Sequence, residues 1–198
     1  TYSVEAWRER RNQAMTQSIE IVRRRVDEFG TSEASIQRQG QDRIIVELPG
    51  IDDPQRVVDL IGRTAKLNFH LLATGYSGAV GNVQDIPAGA ISVPAADGSG
   101  GVYVVQRRVS VPGEMLVDSQ PSFQDGQPVV SFRFNTQGGR RFGALTAQSV
   151  GQNLAILLDG EVISAPRIRS AIVGGSGIIE GGFTVQGAQD LALLLRAG

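Results

Sequence analysis

The chain has 198 residues, of which 41% are hydrophobic and 20% charged, and its formal net charge is −1. This balance is typical of a globular protein with one large or two small domains, and it lacks the basic excess of nucleic-acid-binding domains. The absence of cysteine excludes thiolate chemistry and disulfides, and a single histidine, His70, excludes a His-based metal cluster. We therefore expect no cofactor, no metal and no nucleic-acid partner. No apolar run approaches the roughly 18 residues of a membrane span, and no signal peptide opens the sequence.

The first predicted element is a long helix over residues 4–29. Its apolar side chains recur every three or four residues, which places them on one stripe; they are Met15, Ile19, Val22, Val26 and Phe29. Gly30 stands where a left-handed C-cap glycine is expected. The arginines at 23–25 mostly face away from the stripe. A solvated helix face, partly paired with acidic neighbours, explains them better than a lipid or nucleic-acid patch.

Two strands, a helix and a third strand are predicted next. Residues 35–39 and 43–48 alternate as strands, and Asp52 or Asp53 is placed to cap a helix that begins at Pro54. Residues 65–72 then alternate apolar and polar side chains, with His70 on the polar side. With one more strand in front, the order α-β-β-α-β becomes the βαββαβ pattern of a ferredoxin-like unit.

The middle of the chain changes character. Residues 74–101 are rich in glycine, alanine, serine and proline, which predicts a loop or a partly ordered segment. Residues 102–111 alternate weakly as a strand, and residues 115–123 carry no clear pattern. A strand at 128–135 is predicted with Val130, Phe132 and Phe134 on one face, followed by a helix that Asn135 or Thr136 caps and that runs to about Val150.

The last part of the chain predicts short strands joined by glycine turns. The apolar run at 154–158 suits a strand buried on both faces, although periodicity alone leaves a helix segment open. Asp159-Gly160 is a strong hairpin signal, because this dipeptide tolerates positive φ. The remaining predictions are a strand at 162–164 that stops at Pro166, a turn at 174–177, a strand at 178–179, and a helix at 185–196 capped by Thr184.

Several segments resemble the SecD family, membrane subunits of the bacterial Sec protein translocase. They are DGEVISAP at 159–166, GGSGIIEGGFT at 174–184 and DLALLLRAG at 190–198, with RRRVDEFG at 23–30, IQRQGQDRIIVELPG at 36–50 and LIGRTAKLNFHLL at 60–72 upstream. Together they cover more than half of the chain in the family's order. The resemblance implies the first extracytoplasmic domain of that subunit, without its membrane spans. SecD relatives carry a GLDLxGG-like strand after the first span, and the chain lacks this motif, so we expect a base without its first strand.

The expected fold class is α+β, with a ferredoxin-like base subdomain and an inserted mixed α/β head subdomain. We assign residues 1–73 and 184–198 to the base, and residues 74–183 to the head. The chain crosses between them at two places, so the hinge candidates are Thr74, Gly75, Gly181, Gly182 and Phe183. Glycine absorbs backbone rotation easily, but ordinary loop ends explain these residues equally well from sequence. The family, whose head and base change orientation, favours the hinge.

Four features suggest chemistry, and ordinary structure explains each of them better. The glycines at 174–177 lack the lysine of a P-loop, and Glu180 stands where a dinucleotide fingerprint needs glycine or alanine. Asp52-Asp53 precedes a helix, where capping explains the carboxylates. Asp159 and Glu161 could form a catalytic pair, but Asp159 fits a hairpin turn and Glu161 fits a solvent-facing strand position. His70 fits a surface histidine or one whose hydrogen bonds are satisfied. We therefore predict that the chain is not an enzyme.

The resemblance also implies the function. SecD, with its partner SecF, assists the Sec channel, SecYEG, in moving unfolded preproteins outward with the proton-motive force. The subunit is an inner-membrane protein, this fragment lies on the periplasmic side, and the proton-carrying groups lie in the spans. No small-molecule substrate is expected, and the residues that contact the preprotein are not predicted.

A stand-alone ferredoxin-like regulatory module that binds a small ligand is the alternative. A compact polar pocket would favour that module, whereas a broad apolar groove would favour polypeptide binding. A hydrolytic enzyme lacks any supporting group of residues.

Overall fold

A computed structural model of the chain describes residues 3–27, 34–81 and 83–197. The helices are α1 (Val4–Asp27), α2 (Pro54–Gly62), α3 (Thr136–Gln148) and α4 (Val185–Ala197). The strands are β1 (Ser35–Gln39), β2 (Arg43–Glu47), β3 (Leu67–Leu71), β4 (Ala90–Pro94), β5 (Val102–Gln106), β6 (Val111–Pro112), β7 (Leu116–Gln124), β8 (Gln127–Phe134), β9 (Leu154–Leu158), β10 (Glu161–Ser164) and β11 (Ser176–Ile179). These strands pair antiparallel, and helices pack beside them, so the α+β class is confirmed.

The chain divides into two compact units, Thr1–Arg63 with Ala197 and Thr64–Arg196 with Gly198. In the first unit, the two predicted strands β1 and β2 pair as a hairpin, in register from Ser35↔Glu47 to Gln39↔Arg43. Its core includes Val22, Val26, Val57 and Leu60, which are all buried. The helical stripe of α1 is thus confirmed at its C-terminal end, while the predicted contributions of Phe29 and Gly30 fall outside the described residues.

Arg25 corrects the prediction that the arginines at 23–25 share a solvated face. The other two are exposed, but Arg25 is only 1% exposed. Its guanidinium donates to the carbonyl oxygens of Leu60 at 2.9 Å and Ile61 at 3.0 Å, and to that of Arg63. The carbonyls at a helix C-terminus lack intrahelical donors and carry partial negative charge. Arg25 therefore joins α1 to the end of α2, and its place in the core follows from hydrogen bonds that hydrophobic periodicity does not register.

The second unit contains two larger sheets and one hairpin. The sheets have the orders β10-β9-β3-β6 and β11-β8-β7, and β4 pairs with β5. β9 is central in its sheet, and all five of its residues are buried, which confirms the predicted fully buried strand. β11 and β7 are the two edges of their sheet.

The pairing of β3 differs from the predicted ferredoxin-like arrangement. β3 pairs with β9 from Leu67↔Leu158 to Leu71↔Leu154 and with β6 on its other side, whereas β1 and β2 pair with each other. The apolar side chains of β3 are buried against partners from later in the chain, and a strand's own sequence does not name its partners. The assignment of residues 1–73 and 184–198 to a base and 74–183 to a head stays a prediction.

The loop predicted at 74–101 is wrong in part, because it contains β4. This strand pairs with β5 from Ala90↔Gln106 to Pro94↔Val102. Val93 is buried in a cluster with residues of β5, β9 and β10. The strand is short and built mostly from small residues, so its alternation is too weak to detect. β7, where the sequence shows no pattern, is a nine-residue strand paired with β8.

The predicted helix caps are confirmed. Asp53 accepts a hydrogen bond from the backbone N–H of Arg56 at 3.0 Å, and Asn135 accepts one from Gly138 at 2.8 Å. The hydroxyl of Thr184 accepts one from Gly187 at 3.0 Å. Each cap satisfies a backbone donor that the first turn of a helix leaves free.

The turn at Asp159-Gly160 has the predicted positive φ at both residues, 51° at Asp159 and 91° at Gly160. The Asp159 carboxylate also accepts hydrogen bonds from the backbone N–H groups of Lys66 at 2.9 Å and Ala65 at 3.2 Å, and from the hydroxyl of Thr64. Asp159 therefore has a second role besides the hairpin turn: its carboxylate holds the chain in place where β3 begins.

Replacing Gly160→Val should lower the free energy of unfolding by about 1 kcal/mol or more, because a β-branched residue is strained at positive φ. A Cβ at Gly160 would have open space, so the cost is conformational and not steric. Chemical denaturation measures the change. Gly174→Val is the matched control, since Gly174 also has open space and its φ lies outside the positive region. Equal denaturation midpoints for the two variants would contradict the assignment of the turn.

Candidate functional site

An open groove of about 430 Å³ lies within the second unit. Buried side chains form its floor, and exposed residues of two segments form its rims. The first rim is the segment 166–172, and the second is β11 with Glu180. The floor residues are Phe69, Phe132, Phe142, Thr146, Leu154 and Ile156.

The floor is part of a cluster of four phenylalanines. The ring centroid of Phe69 lies 5.5 Å from that of Phe132, 5.4 Å from Phe134 and 5.9 Å from Phe142. The other three rings lie 5.2 to 6.0 Å from one another. These separations and the tilted or edge-to-face ring orientations are the favourable geometry for aromatic pairs. The floor is therefore closely packed and, apart from Thr146, apolar.

Strand alternation and helix position bring the four rings together. Phe132 and Phe134 lie two residues apart on β8 and share its core face, as predicted. Phe69 comes from the core face of β3, and Phe142 comes from the buried side of α3. Three elements distant in sequence thus supply one aromatic surface.

Gly177 lets β11 approach this cluster. A Cβ at this position would lie 2.6 Å from Cζ of Phe132, which is too close for any side chain. Gly177 and Phe132 are directly opposite in the β11–β8 pair. Because Gly177 has no side chain, nothing projects from β11 into the groove beside the ring of Phe132.

Hydrogen bonds fix the rim formed by segment 166–172. The backbone N–H of Leu154 donates to the carbonyl of Pro166 at 2.9 Å, and that of Ile168 donates to Gln152 at 2.8 Å. At the far end, the N–H of Ile172 donates to the hydroxyl of Thr146 at 2.9 Å. The groove is therefore preformed on both sides.

Three charged side chains line the mouth of the groove. Arg167 and Arg169 lie on one rim, and Glu180 lies on the other. Arg167 donates from Nε to the carbonyl of Gly151 at 2.9 Å, while Arg169 makes no ion pair with any residue that the structure describes. The mouth has a net positive charge, and it suits a chain that carries a carboxylate beside apolar groups.

The residues with potential chemistry do not converge on this groove. His70 is buried, and its Nδ1 lies 2.8 Å from the carbonyl oxygen of Gln106, so it is a satisfied core histidine with the proton on Nδ1. Asp159 binds backbone donors, and Asp53 caps α2. The turn predicted at 174–177 is confirmed only at Gly174 and Gly175, because Ser176 and Gly177 already belong to strand β11; no helix follows the glycines. Across residues 3–27, 34–81 and 83–197, no three histidine or acidic residues are grouped to hold a metal ion.

The hinge candidates lie at two separate places in the second unit. Thr74 and Gly75 occupy a β-turn in which the N–H of Tyr76 donates to Ala73 at 3.1 Å, with φ of 91° at Gly75. Gly181, Gly182 and Phe183 link β11 to α4, and Gly182 has a φ of 62°. A Cβ at Gly181 would lie 2.6 Å from Cζ of Phe183 and 3.0 Å from the carbonyl oxygen of Ile163. The hinge role stays a prediction.

Sequence reasoning did not identify the groove. It predicted the core face of β8 and the strand β11, but it did not pair them with β3 or α3. The arginines at 167 and 169 carried no recognisable pattern. A detectable signal was the glycine within the GSGII strand, because an isolated strand glycine often marks a close backbone approach.

The fold and groove define an α+β domain with a preformed apolar cleft, and comparisons with known proteins give the family. The family model described as SecDF, P1 head subdomain, matches residues 90–198. The model described as Protein translocase subunit SecDF, P1 domain, N-terminal, matches residues 15–74. The chain belongs to the SecD family, so the resemblance seen in the sequence is confirmed.

Whole-chain relatives agree with this assignment. Protein translocase subunit SecD of Rhodobacter capsulatus is 49% identical over 188 residues, which are 94% of this chain and 33% of that protein. SecD of Acetobacter pasteurianus is 46% identical over 199 residues, covering 99% of this chain and 37% of that protein. The chain thus spans about a third of the length of these curated relatives. Their name describes a transport component, and no helix among the described residues is long and apolar enough to cross a membrane.

Solved structures agree as well. The structure described as SecDF in Super-membrane-facing form matches with a TM-score of 0.74 and 32% identity, covering 93% of this chain and 26% of that one. A structure of SecDF, described as a membrane component that enhances protein export, matches with a TM-score of 0.72 and 32% identity, covering 93% and 86%. These matches are consistent with the predicted base and head arrangement.

Proposed function

We propose that this chain is the periplasmic P1 domain of an inner-membrane SecD subunit and that its groove contacts the emerging preprotein. In this role it assists export through the Sec channel, SecYEG, together with SecF and with the proton-motive force as the energy source. The subunit acts by binding and coupling, not by covalent catalysis.

The observation that carries the proposal is the preformed apolar groove with its phenylalanine floor. An unfolded preprotein exposes apolar side chains of many kinds, and aromatic surfaces bind such groups without demanding one sequence. The alternative function, a regulatory module that binds a small ligand, would instead need a compact pocket with convergent polar groups. The groove is open, and its floor is apolar, which favours a polypeptide over a small polar ligand.

Site-specific photocrosslinking in the full-length subunit tests this contact. A photoreactive phenylalanine analogue at Ser170, an exposed residue of the groove rim, should crosslink to a preprotein that is arrested during export. The same analogue at Gln189, which is exposed on α4 and does not line the groove, is the matched control. Crosslinking of equal yield at the two positions would mean that the groove is not the contact surface.

We also propose that a head subdomain, residues 74–183, moves against a base subdomain about Thr74-Gly75 and Gly181-Gly182-Phe183. Gly75 and Gly182 have positive φ and open space around them, so a rotation there meets little steric resistance. Such a motion would couple preprotein binding to the membrane part of the subunit.

A disulfide that joins a head residue to a base residue across the joint tests the hinge. These 198 residues contain no native cysteine, so a pair introduced with Cα atoms about 4.4–6.8 Å apart meets no competing thiol within this domain. The crosslinked full-length subunit should lose export activity and regain it with reductant, while the single-cysteine variants export normally. Full activity in protein shown to be crosslinked would contradict the hinge.

A further inference from the structure

We propose that the groove binds its polypeptide as an added β-strand along the free edge of β11, and that it prefers segments in which apolar residues alternate with a carboxylate. This inference rests on the proposed function, since it specifies how the preprotein would occupy the same groove. It is carried by three features of the second unit: an uncovered strand edge, the floor beside that edge, and the charge of the opposite rim.

β11 is an edge strand with one partner. It pairs with β8 from Ser176↔Arg133 to Ile179↔Val130, and it stands at the end of the order β11-β8-β7. Within the described part of the chain, no backbone hydrogen bond reaches its other edge. A row of free backbone donors and acceptors is a template for another strand.

The other edge of the same sheet is covered, which makes the β11 edge distinctive. Arg196 on α4 donates from Nε to the carbonyl oxygen of Ser119 on β7 at 3.2 Å, and the Ser119 hydroxyl donates to the carbonyl of Ala192 at 2.7 Å. The helix α4 therefore occupies the edge of β7. The sheet is protected on one side and left open on the side of the groove.

The register shows which backbone groups of β11 are free. The N–H of Phe134 donates to the carbonyl of Gly175 at 2.8 Å, and these residues lie opposite each other in the register. Hydrogen-bonded pairs alternate in an antiparallel ladder, so Gly177 and Ile179 direct their backbone groups toward β8. The N–H and C=O groups of Ser176 and Ile178 point the other way, to the free edge.

The free edge faces the groove, because Ser176, Gly177 and Ile178 all line it. A strand added here would direct every second side chain toward the core side of the sheet. On that side Gly177 has no side chain, and the rings of Phe69 and Phe132 are within the groove lining. Both rings are almost fully buried, so apolar residues at alternate positions of the bound segment would pack against the apolar lining above them.

The opposite rim supplies the charge preference. Arg167 and Arg169 face the groove from segment 166–172, and Glu180 is the only acidic residue among the described lining residues. A carboxylate on the bound strand would form a charge-assisted hydrogen bond with an arginine guanidinium, which is stronger than a neutral one. Acidic alternating segments should therefore bind better than their amide counterparts.

The test uses the full-length subunit and a fluorescent peptide, Ser-Val-Thr-Val-Glu-Val-Ser, with binding followed by fluorescence anisotropy. Ile178→Pro removes the N–H that points to the free edge while sparing the hydrogen bonds to β8, and proline is tolerated at such edge positions. We expect it to weaken binding about tenfold or more, the effect of losing one well-formed hydrogen bond and blocking strand addition. Ile178→Ala keeps the N–H, so it should bind within about twofold of the parent protein.

A second series changes the peptide and leaves β11 intact, so it remains decisive if Ile178→Pro does not fold. Peptide N-methylated at alternate backbone nitrogens should bind poorly in the register that blocks pairing with β11 and normally in the other register. Replacing the peptide glutamate by glutamine should weaken binding to the parent protein but not to Arg169→Gln.

The outcomes separate the two levels of the proposal. If the unmodified peptide does not bind, the strand-addition proposal is overturned, whereas photocrosslinking at Ser170 decides separately whether the groove contacts preproteins. If it binds but N-methylation in either register has no effect, the groove remains a binding site, and strand addition is overturned.

Discussion

The packing of four phenylalanine rings is the interaction on which the second unit depends. Phe69, Phe132, Phe134 and Phe142 come from two sheets and one helix, and all four are buried. Burying one such side chain contributes about 1.5–3 kcal/mol, so the four together are comparable to the net stability of a domain, about 5–15 kcal/mol. The cluster joins β3 to β8 and α3, whose backbones share no hydrogen-bonded ladder. The groove lies directly above this buried cluster.

The same cluster explains why one strand edge is left open. β8 provides two of the rings, and β11 crosses Phe132 with a glycine because any Cβ would collide with the ring. Strand β11 is therefore held close to the core but contributes no large side chain above Phe132. In most proteins a free strand edge next to exposed apolar surface is a liability for aggregation. Under the proposed function, the same combination would serve to bind an unfolded chain.

The sequence predicted local structure well where one physical signal decided it. Side-chain capping placed Asp53, Asn135 and Thr184 correctly, and the need for positive φ placed the turn at Asp159-Gly160. Features that depend on distant partners were missed. Arg25 is buried because the end of α2 offers it carbonyl oxygens, which are 35 or more positions away in the sequence. β3 pairs with β9 and β6, and β4 gains its order from β5.

The candidate site was predictable only through its parts. The core face of β8 and the turn that leads into β11 were predicted from the sequence, and the family resemblance gave the expectation of a polypeptide partner. The groove itself arises from the spacing between β11 and segment 166–172, which is set by hydrogen bonds to Thr146, Gln152 and Leu154. No local pattern encodes that spacing, so the sequence did not predict that Arg167 and Arg169 line a groove.

Hydrogen exchange at β11 would test the central claim most directly. The backbone amide of Ile178 faces the free edge, whereas that of Gly177 is paired with β8, so the two neighbours serve as probe and internal control. The account predicts that the Ile178 amide of the full-length subunit exchanges quickly when free and is strongly protected when the acidic alternating peptide saturates the groove, with little change at Gly177. Saturation by the peptide without any added protection at Ile178 would contradict it.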